Sequence, residues 1–239
     1  DYDGNTDQSN DGQYQHQMNI HNWLLGNRQR MNIQYLFHDG DIIDDEPNIQ
    51  EWEQADAAYK KLDVAKFPYG VLAGNHDVGH LNGDYTQYFG ENRYLSNPWY
   101  GGSYKNNRGH YDLISVDGID FIMLYMGWGI GDEEIQWMND VLAQYPERKA
   151  ILNFHEYLLA SGGLGEEPQR IYDEVVSKNE NVCMVLSGHY HNAKTRIDTF
   201  TNADGSTRKV YNMLFDYQGL MEGGAGYIRL MHFDVEGQR

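Results

Sequence analysis

The sequence predicts a mixed α/β domain, and three observations support that prediction. Apolar residues recur at helical spacing in two segments, and a short apolar run typical of a strand follows each of them. Asp117-Gly118 separates two strand-like runs and favours a hairpin turn. Polar residues rich in Asp, Asn and His follow several strand-like runs. We expect parallel strands with helical crossovers first and more antiparallel pairing later.

The first half of the chain repeats a helix followed by a strand. Apolar spacing predicts a helix over residues 16–31 and a strand over 33–37, then a helix over 52–62 and a strand over 69–73. The stretch 79–107 is rich in Gly, Asn and Tyr and shows little periodicity. We interpret it as a long surface excursion that helps to shape a substrate pocket.

The second half supplies further strands and two helices. We expect Asp132 to cap one helix and Pro168 to start another, because these residue types suit those positions. The expected strands are 113–116, 119–125, 150–154, 182–186, 195–199, 210–215 and 227–233, with a turn at 202–205. Since no repeat or linker interrupts the pattern, we predict a single domain over residues 1–239.

Composition and charge exclude several classes of protein. Hydrophobic residues make up 40% of the chain, which is too many for a disordered protein. The formal net charge of −18 repels nucleic acid and anionic membranes, so we expect no nucleic-acid partner. No stretch reaches the roughly 18 apolar residues of a membrane span, so no membrane insertion is expected. The single cysteine, Cys183, excludes a disulfide framework.

Four predicted strands lead directly into polar motifs. These motifs are Gly40-Asp41-Ile42-Ile43-Asp44, Gly74-Asn75-His76-Asp77, His155-Glu156 and Gly188-His189-Tyr190-His191. Because the carboxyl ends of parallel strands meet at one crevice, we expect their Asp, Asn and His side chains to form one cluster. Chance would supply only about 0.05 copies of GHxH in a chain of this composition, so that motif carries more weight than GDxxD.

The donor atoms of this cluster suit metal ions. Carboxylate, amide and imidazole donors without thiolate favour Zn, Mn or Fe, and Ca or Mg are ions that preparations could carry. More donors are present than one tetrahedral zinc takes, so two metals that share a bridging carboxylate are the simplest interpretation, with Asp41 as the bridge. Glycines before Asp41, Asn75 and His189 would let the backbone turn sharply and approach the ions.

With these motifs the sequence resembles the calcineurin-like metallophosphoesterase family, over most of the chain from about residue 16 onward. The resemblance implies a four-layer α/β/β/α sandwich, in which two mixed β-sheets are flanked by helices. It also implies two metals at the carboxyl edge of the sheets. Asp41 would bridge them, Asn75, His155 and His189 would bind one metal, and His191 would bind the other.

The same resemblance implies a reaction. A water activated by the two metals would hydrolyse a small phosphomonoester or phosphodiester. His76 would protonate the leaving group or steady the phosphoryl oxygens, oriented by Asp44 or Asp77. Small phosphoesters are expected rather than polyanions, since the net charge of the chain repels long anions.

The family's first strand, which ends in DxH or DxQ and supplies two ligands, has no counterpart before residue 16. Asp11-Gly12-Gln13 has the DxQ lettering, but the polar residues before it do not resemble a buried strand. We therefore expect that strand upstream of Asp1, which leaves Asp41 and His191 alone for the second metal. We also expect a secreted bacterial module, extracellular or at the cell surface, within a larger multidomain surface protein.

An alternative is a catalytically weak or inactive cell-surface or carbohydrate-binding module on the same fold. Trp99, Tyr100 and Tyr104 lie in a Gly-rich stretch and would stack on sugars if they were exposed. The other interpretation is that these rings pack the stretch onto its own domain.

Residues beside the motifs also have two interpretations. Trp128 would either line the pocket or pack in the core. Glu156 would either orient a ligand or remain solvated. His38 and Asp39 would either support the metal ligands or complete a polar turn.

Overall fold

The structure is a computed structural model that describes residues 14–78 and 83–233. Its α-helices are α1 (Tyr14–Asn27), α2 (Ile49–Val64), α3 (Asn75–Val78), α4 (Gly83–Phe89), α5 (Asp132–Gln144) and α6 (Glu166–Ile171). Its strands are β1 (Leu36–His38), β2 (Tyr69–Val71), β3 (Tyr100–Tyr104), β4 (Gly109–Val116), β5 (Ile119–Met126), β6 (Lys149–Phe154), β7 (Val182–Ser187), β8 (Ala193–Thr201) and β9 (Thr207–Phe215). A π-helical turn, Tyr172–Val176, continues α6.

The strands form two sheets. β1 and β2 make a two-stranded parallel sheet, and the other strands make a seven-stranded sheet in the order β3-β4-β5-β6-β7-β9-β8. In the larger sheet β5, β6, β7 and β9 run parallel, whereas β3, β4 and β8 pair antiparallel with their neighbours. The mixed α/β prediction is confirmed, although the described part of the smaller sheet is a parallel pair rather than a mixed sheet.

Side chains alternate along β5 and fill two separate cores. Ile122 and Leu124 pack with α5 and α6 on one face of the larger sheet. Met123 and Tyr125 point to the opposite face and meet Leu72, which follows β2. A third core lies between β2 and α2. The layers therefore run helices, seven-stranded sheet, two-stranded sheet, helices, which confirms the predicted α/β/β/α arrangement.

The hairpin between β4 and β5 forms as its sequence predicts. Val116 pairs with Ile119 across a two-residue turn. Asp117 and Gly118 have φ angles of 48° and 81°, the left-handed values that such a turn requires.

The stretch 79–107 differs most from its prediction. Its described residues form α4 and β3, and Tyr85, Phe89 and Tyr94 are buried rather than exposed. These elements are short and irregularly joined, so their aromatic packing produces no sequence periodicity. The surface-excursion prediction is therefore wrong for the described part of this stretch.

Smaller differences concern the ends of elements. Gly131 is the residue that caps α5, because the Glu134 side chain accepts its N–H, and Asp132 is the first helical residue. α6 begins at Glu166, before Pro168. Residues 227–233 form no strand. Within 14–78 and 83–233, none of the helices has the length and apolar character needed to cross a membrane.

Candidate metal centre

The four predicted motifs lie at the same edge of the two sheets. Asp41 follows β1, Asn75 begins α3 after β2, His155 follows β6 directly, and His189 lies two residues after β7. β1 and β2 are parallel to each other, and so are β6 and β7, so each pair delivers its polar residues at one end. The two sheets then face each other and bring the pairs together.

The His155 ring lies at the centre of this group. Its Nδ1 is 2.7 Å from the Asp39 carbonyl oxygen, so Nδ1 carries the hydrogen that is donated there. Its Nε2 faces Asn75 Oδ1 at 3.1 Å, Asp41 Oδ2 at 3.2 Å and His189 Nδ1 at 3.2 Å. Two oxygens without hydrogens and two imidazole nitrogens thus face one another, and a single shared proton cannot satisfy all four.

This donor set fits a metal ion. Two ligands bound at about 2.1 Å to one ion lie about 3.0 to 3.4 Å apart at octahedral or tetrahedral angles, which matches the observed separations. The donor atoms of Asp41, His155 and His189 all lie within 4.8 Å of one another. Unsatisfied acceptors in a buried site are costly, and a cation shared between them removes that cost. The group therefore matches one N/O-coordinated divalent metal.

Electrostatics couple His155 to Asp41. Burial of the His155 ring lowers its pKa, but the hydrogen bond and the charge of Asp41 outweigh burial and hold this pKa above its ordinary value. Burial raises the pKa of Asp41, and the contact with His155 outweighs it, so the pKa of Asp41 lies below its ordinary value. A bound cation would replace the proton that favours this pair, so metal affinity should fall as the pH falls.

Two glycines allow the backbones of the motifs to approach one another. A Cβ on Gly40 would lie 2.6 Å from His155 Nδ1, and a Cβ on Gly74 would lie 2.1 Å from Asp41 Oδ1. The predicted close approach is thus present at these two positions. At Gly188 a Cβ would meet nothing nearer than 3.9 Å, so the prediction is wrong there. The left-handed turn lies instead at His189, with a φ of 68°.

Asp77 connects the loop that follows β1 to the loop that follows β2. Its fully buried carboxylate accepts backbone N–H groups from Ile42 at 2.8 Å, Ile43 at 3.1 Å and Gly74 at 2.7 Å. Burial and the charge of Asp41 raise the pKa of Asp77, while the N–H donors from Gly74 and Ile43 oppose the rise. These hydrogen bonds therefore indicate that Asp77 fixes the geometry of the two loops.

His76 lies at the open side of the group, with 44% of its side chain exposed. Its backbone N–H donates to Asp41 Oδ1 at 3.1 Å, and its ring Nδ1 lies 2.7 Å from the Asp44 carbonyl oxygen. The Asp44 carboxylate is 3.3 Å from the same Nδ1. Of the two orienting residues that the sequence left open, Asp44 contacts the ring, which leaves Nε2 to face a substrate.

The charge state of His76 suits a proton donor. Burial lowers its pKa, but the Asp44 carbonyl and the charges of Asp41, Asp44 and Asp77 outweigh burial and raise the pKa above its ordinary value. These neighbours therefore favour the protonated form of the ring.

Glu51 is a supporting residue that sequence reasoning missed. Its Oε2 accepts the backbone N–H groups of Asp44 and Asp45, both at 2.9 Å, and its Oε1 accepts from the Asn48 side chain. Asn48 caps α2 and Glu51 lies three residues later, so an Asn-x-x-Glu capping pattern is the signal that could have found it.

His191 stands apart from the group. Its ring is exposed, and among the described residues the candidate metal group contains Asp41, His155 and His189 but not His191. A Cβ on Gly219 would lie 2.8 Å from the His191 Cβ, so His191 packs against the segment after β9.

Trp128 and Glu156 also belong to the site's surroundings. The Trp128 ring centroid lies 5.7 Å from that of His155 and 5.2 Å from that of His189. Trp128 therefore lines the metal centre. Glu156 accepts a hydrogen bond from the Tyr190 hydroxyl at 2.6 Å, so its carboxylate is held rather than freely solvated. The Asp39 carbonyl supports His155, as described above.

The aromatic residues of the alternative carbohydrate module are half-buried and pack on neighbouring side chains. Tyr100 stacks near Tyr94 and His110, Tyr104 packs on Trp137, and Trp99 packs against the core between the sheets. These contacts favour the interpretation that the rings pack the stretch onto its own domain.

Comparison with known proteins gives three relevant similarities. The chain is 55% identical over 217 residues to the uncharacterised protein YvnB of Bacillus subtilis, covering 89% of this chain and 17% of YvnB. It is 27% identical over 175 residues to a protein of Arcobacter nitrofigilis named probable glycerophosphodiester phosphodiesterase GpdQ, covering 66% of this chain and 56% of that protein. The chain thus spans well under two thirds of either relative.

A solved structure shares the fold. It is titled GAP50, the anchor in the inner membrane complex of Plasmodium, and it aligns with a TM-score of 0.53 at 14% identity, covering 90% of this chain and 71% of that one. The sequence model of calcineurin-like phosphoesterases matches residues 9–193, more than half of the chain and all four motifs. The chain therefore belongs to the calcineurin-like phosphoesterase family.

Proposed function

We propose that this chain hydrolyses a small phosphomonoester or phosphodiester with the help of two metal ions. The observation that carries the proposal is the convergence of Asp41, Asn75, His155 and His189 beside the partly exposed ring of His76. Metal ions bound here would neutralise phosphoryl oxygens and acidify a water molecule. Family membership supports a metal-dependent phosphoester hydrolase.

His76 is the proposed general acid. The oxygen of water forms a new P–O bond, the ester P–O bond breaks, and the departing alkoxide takes the Nε2 proton of His76. The proton released by water passes to solvent, and the products are an alcohol and a phosphate or phosphomonoester. Asp44 holds the ring through its carbonyl, so the neutral ring that remains keeps its Nδ1 hydrogen.

Asp41 and His191 would help to hold a second metal, with further ligands from a strand beside β1. Among the described residues β1 pairs with β2 alone, which leaves its other edge open. An apolar groove of about 560 Å³ borders that region and is lined in part by Tyr35, Phe37 and Met123. Asp11-Gly12-Gln13, the alternative source of ligands, lies outside the described residues.

Metal stoichiometry tests the second site. One metal per chain, unchanged in His191→Ala, would mean that Asp41 and His191 alone do not complete the second site. A stoichiometry of two that falls to one in Asp11→Ala with Gln13→Ala would place the ligands in the first 13 residues. Two metals that persist in this double variant would show that no such strand is needed.

The substrate is proposed to be a small phosphoester rather than a polyanion. The net charge of −18 opposes polyanions. Similarity to the Arcobacter protein named as a glycerophosphodiester phosphodiesterase supports a diester among the candidates. We also propose that the chain works as part of a larger protein outside the cell, a proposal that fractionation of the native host would test.

A hydrolysis panel tests the reaction itself. Monoesters and diesters would be assayed with Mn, Fe and Zn, and we expect chelation to abolish turnover. His76→Ala should lower kcat by about 10²- to 10⁴-fold, because a positioned acid contributes about that much. His232→Ala, which alters an exposed histidine, is the control. Full activity of His76→Ala would refute the acid role, and absence of any bound metal after reconstitution would refute the whole mechanism.

A further inference from the structure

The indole ring of Trp128, called the aromatic wall below, lies beside the candidate metal centre. Trp128 is half-buried, and its ring lies 5.2 Å from His189 and 5.7 Å from His155 between centroids. One part of the indole therefore packs on the two histidines, and another part faces solvent next to them. A phosphoester bound at the metal centre would extend one of its organic groups past this ring.

The backbone holds Trp128 in place. Its N–H donates to the Ala73 carbonyl at 2.9 Å, just before the Gly74 motif. Its carbonyl accepts from Arg108 Nη2 at 3.2 Å. A Cβ on Gly127 would lie 3.0 Å from the Arg108 carbonyl oxygen, so the preceding residue is closely packed as well. The wall is thus preorganised, and a substrate would not have to order it.

Glu156 presents a fixed carboxylate near His189. The Tyr190 hydroxyl donates to Glu156 Oε1 at 2.6 Å, and the Tyr190 ring lies 4.8 Å from that of His189. Burial, together with the contact to Glu156, raises the pKa of Tyr190 to about 12, so the hydroxyl remains a donor. None of the ion pairs among the described residues includes Glu156.

Two further contacts place Glu156 and the segment after Trp128 beside the start of α6. The Ile130 N–H, two residues after Trp128, donates to Glu167 Oε2 at 3.1 Å. A Cβ on Gly165, the residue before α6, would lie 3.4 Å from Glu156 Oε1. The nearby arginines pair with other carboxylates, Arg108 with Glu134 and Arg170 with Asp132 and Glu174.

We propose that Trp128 and Glu156 form a subsite for a positively charged alcohol group of the phosphoester, such as an amino or quaternary ammonium alcohol. An aromatic face attracts a cation, and a fixed carboxylate beside it supplies the opposite charge. The metal centre would bind the phosphoryl part while the subsite binds the cation. This specificity rests on the proposed hydrolysis, and it goes beyond that hydrolysis by naming the substrate class.

A pair of nearly isosteric substrates tests the subsite. Phosphocholine and 3,3-dimethylbutyl phosphate differ in having a quaternary nitrogen or a carbon at the same position. We expect the unaltered chain to prefer phosphocholine by about tenfold in kcat/KM, mainly through KM. Glu156→Gln should bring the ratio near one, and Trp128→Leu should lower it. Glu133→Gln, which alters an exposed carboxylate on α5, should keep the tenfold ratio.

A second measurement uses the unaltered chain alone, so it tests the subsite even if a variant folds poorly. Choline should inhibit hydrolysis of the neutral ester competitively in the unaltered chain, whereas 3,3-dimethylbutanol should inhibit it more weakly. Equal kcat/KM for the two esters, or an unchanged ratio in Glu156→Gln, would overturn the subsite and leave the hydrolysis standing. If no ester, including p-nitrophenyl phosphate, were hydrolysed with any metal, the proposed function would fall and the subsite with it.

Discussion

Two buried histidines in this molecule have opposite surroundings. His155 is 3% exposed and His110 is 1% exposed, so burial does not distinguish them. The His155 ring faces Asp41, Asn75 and a backbone carbonyl. The His110 ring stacks on Tyr125 at 4.4 Å between centroids, with 5° between the ring planes, and its Nδ1 has no hydrogen-bond partner among the described residues.

The pKa values of the two rings move in opposite directions as a result. Burial alone lowers the pKa of His110 to about 3, because no acceptor compensates for the lost water. At His155 burial acts in the same direction, but Asp41 outweighs it and the pKa rises. A buried histidine is thus a candidate ligand when acceptors converge on it, and a packing residue when aromatic rings surround it.

Metal binding should separate the two histidines most strongly. His155→Ala removes the central donor, so we expect metal affinity to fall by more than about 100-fold, since loss of an outer-shell partner alone costs about 10- to 100-fold. His110→Phe should keep the affinity of the unaltered chain. Titration calorimetry with Mn²⁺ or Zn²⁺ would measure both. Metal retained by His155→Ala, or lost by His110→Phe, would contradict the distinction.

The backbone around His155 offers a finer test of how tightly the acceptors must converge. A Cβ on Gly74 would lie 2.1 Å from Asp41 Oδ1, so Gly74→Ala must displace that ligand. We expect metal affinity to fall by at least about tenfold, or about 1.4 kcal/mol. Gly188→Ala is the matched control, because its Cβ would have no neighbour nearer than 3.9 Å. Equal affinities in the two variants would show that this close approach is not required.

The sequence predicted that these four motif residues lie close together, because the information needed for that prediction is local. Asp41, Asn75, His155 and His189 each follow a strand, and parallel strands bring their carboxyl ends to one edge. The close approach at Gly40 and Gly74 followed from the same pattern. Such a prediction needs only the order of the elements and the direction of the strands. It remains correct when the predicted ends of helices and strands are wrong by a few residues.

Other features depend on tertiary contacts and were not predictable in this way. The stack around His110 joins Tyr94, Tyr100 and Tyr125 from separate segments, and no periodicity marks it. Asp77 stands within a strong motif, yet the sequence could not show that its carboxylate accepts three backbone N–H groups rather than orienting His76. Hydrogen-bond partners are set by the final packing, so sequence spacing leaves them open.

Acid stability should distinguish His110 by a smaller but specific effect. The pKa of His110 is about 3 in the folded protein and has the ordinary value of 6.5 when unfolded. Between these values the unfolded chain binds one more proton, so the free energy of unfolding falls as the pH falls. For this one residue the loss from pH 6 to pH 5 is about 1 kcal/mol.

His110→Phe cannot bind that proton, so its free energy of unfolding should fall by about 1 kcal/mol less over the same interval. Guanidinium unfolding of the metal-free proteins at pH 6 and pH 5 measures the difference. Chelation removes the pH dependence of metal binding, and protonation of the freed metal ligands is common to both proteins and cancels. Any constant change in stability from the larger phenyl ring cancels between the two pH values. Identical pH slopes for the variant and the unaltered chain would mean that the buried His110 ring is able to accept a proton, and the contrast with His155 would then be one of packing rather than of charge.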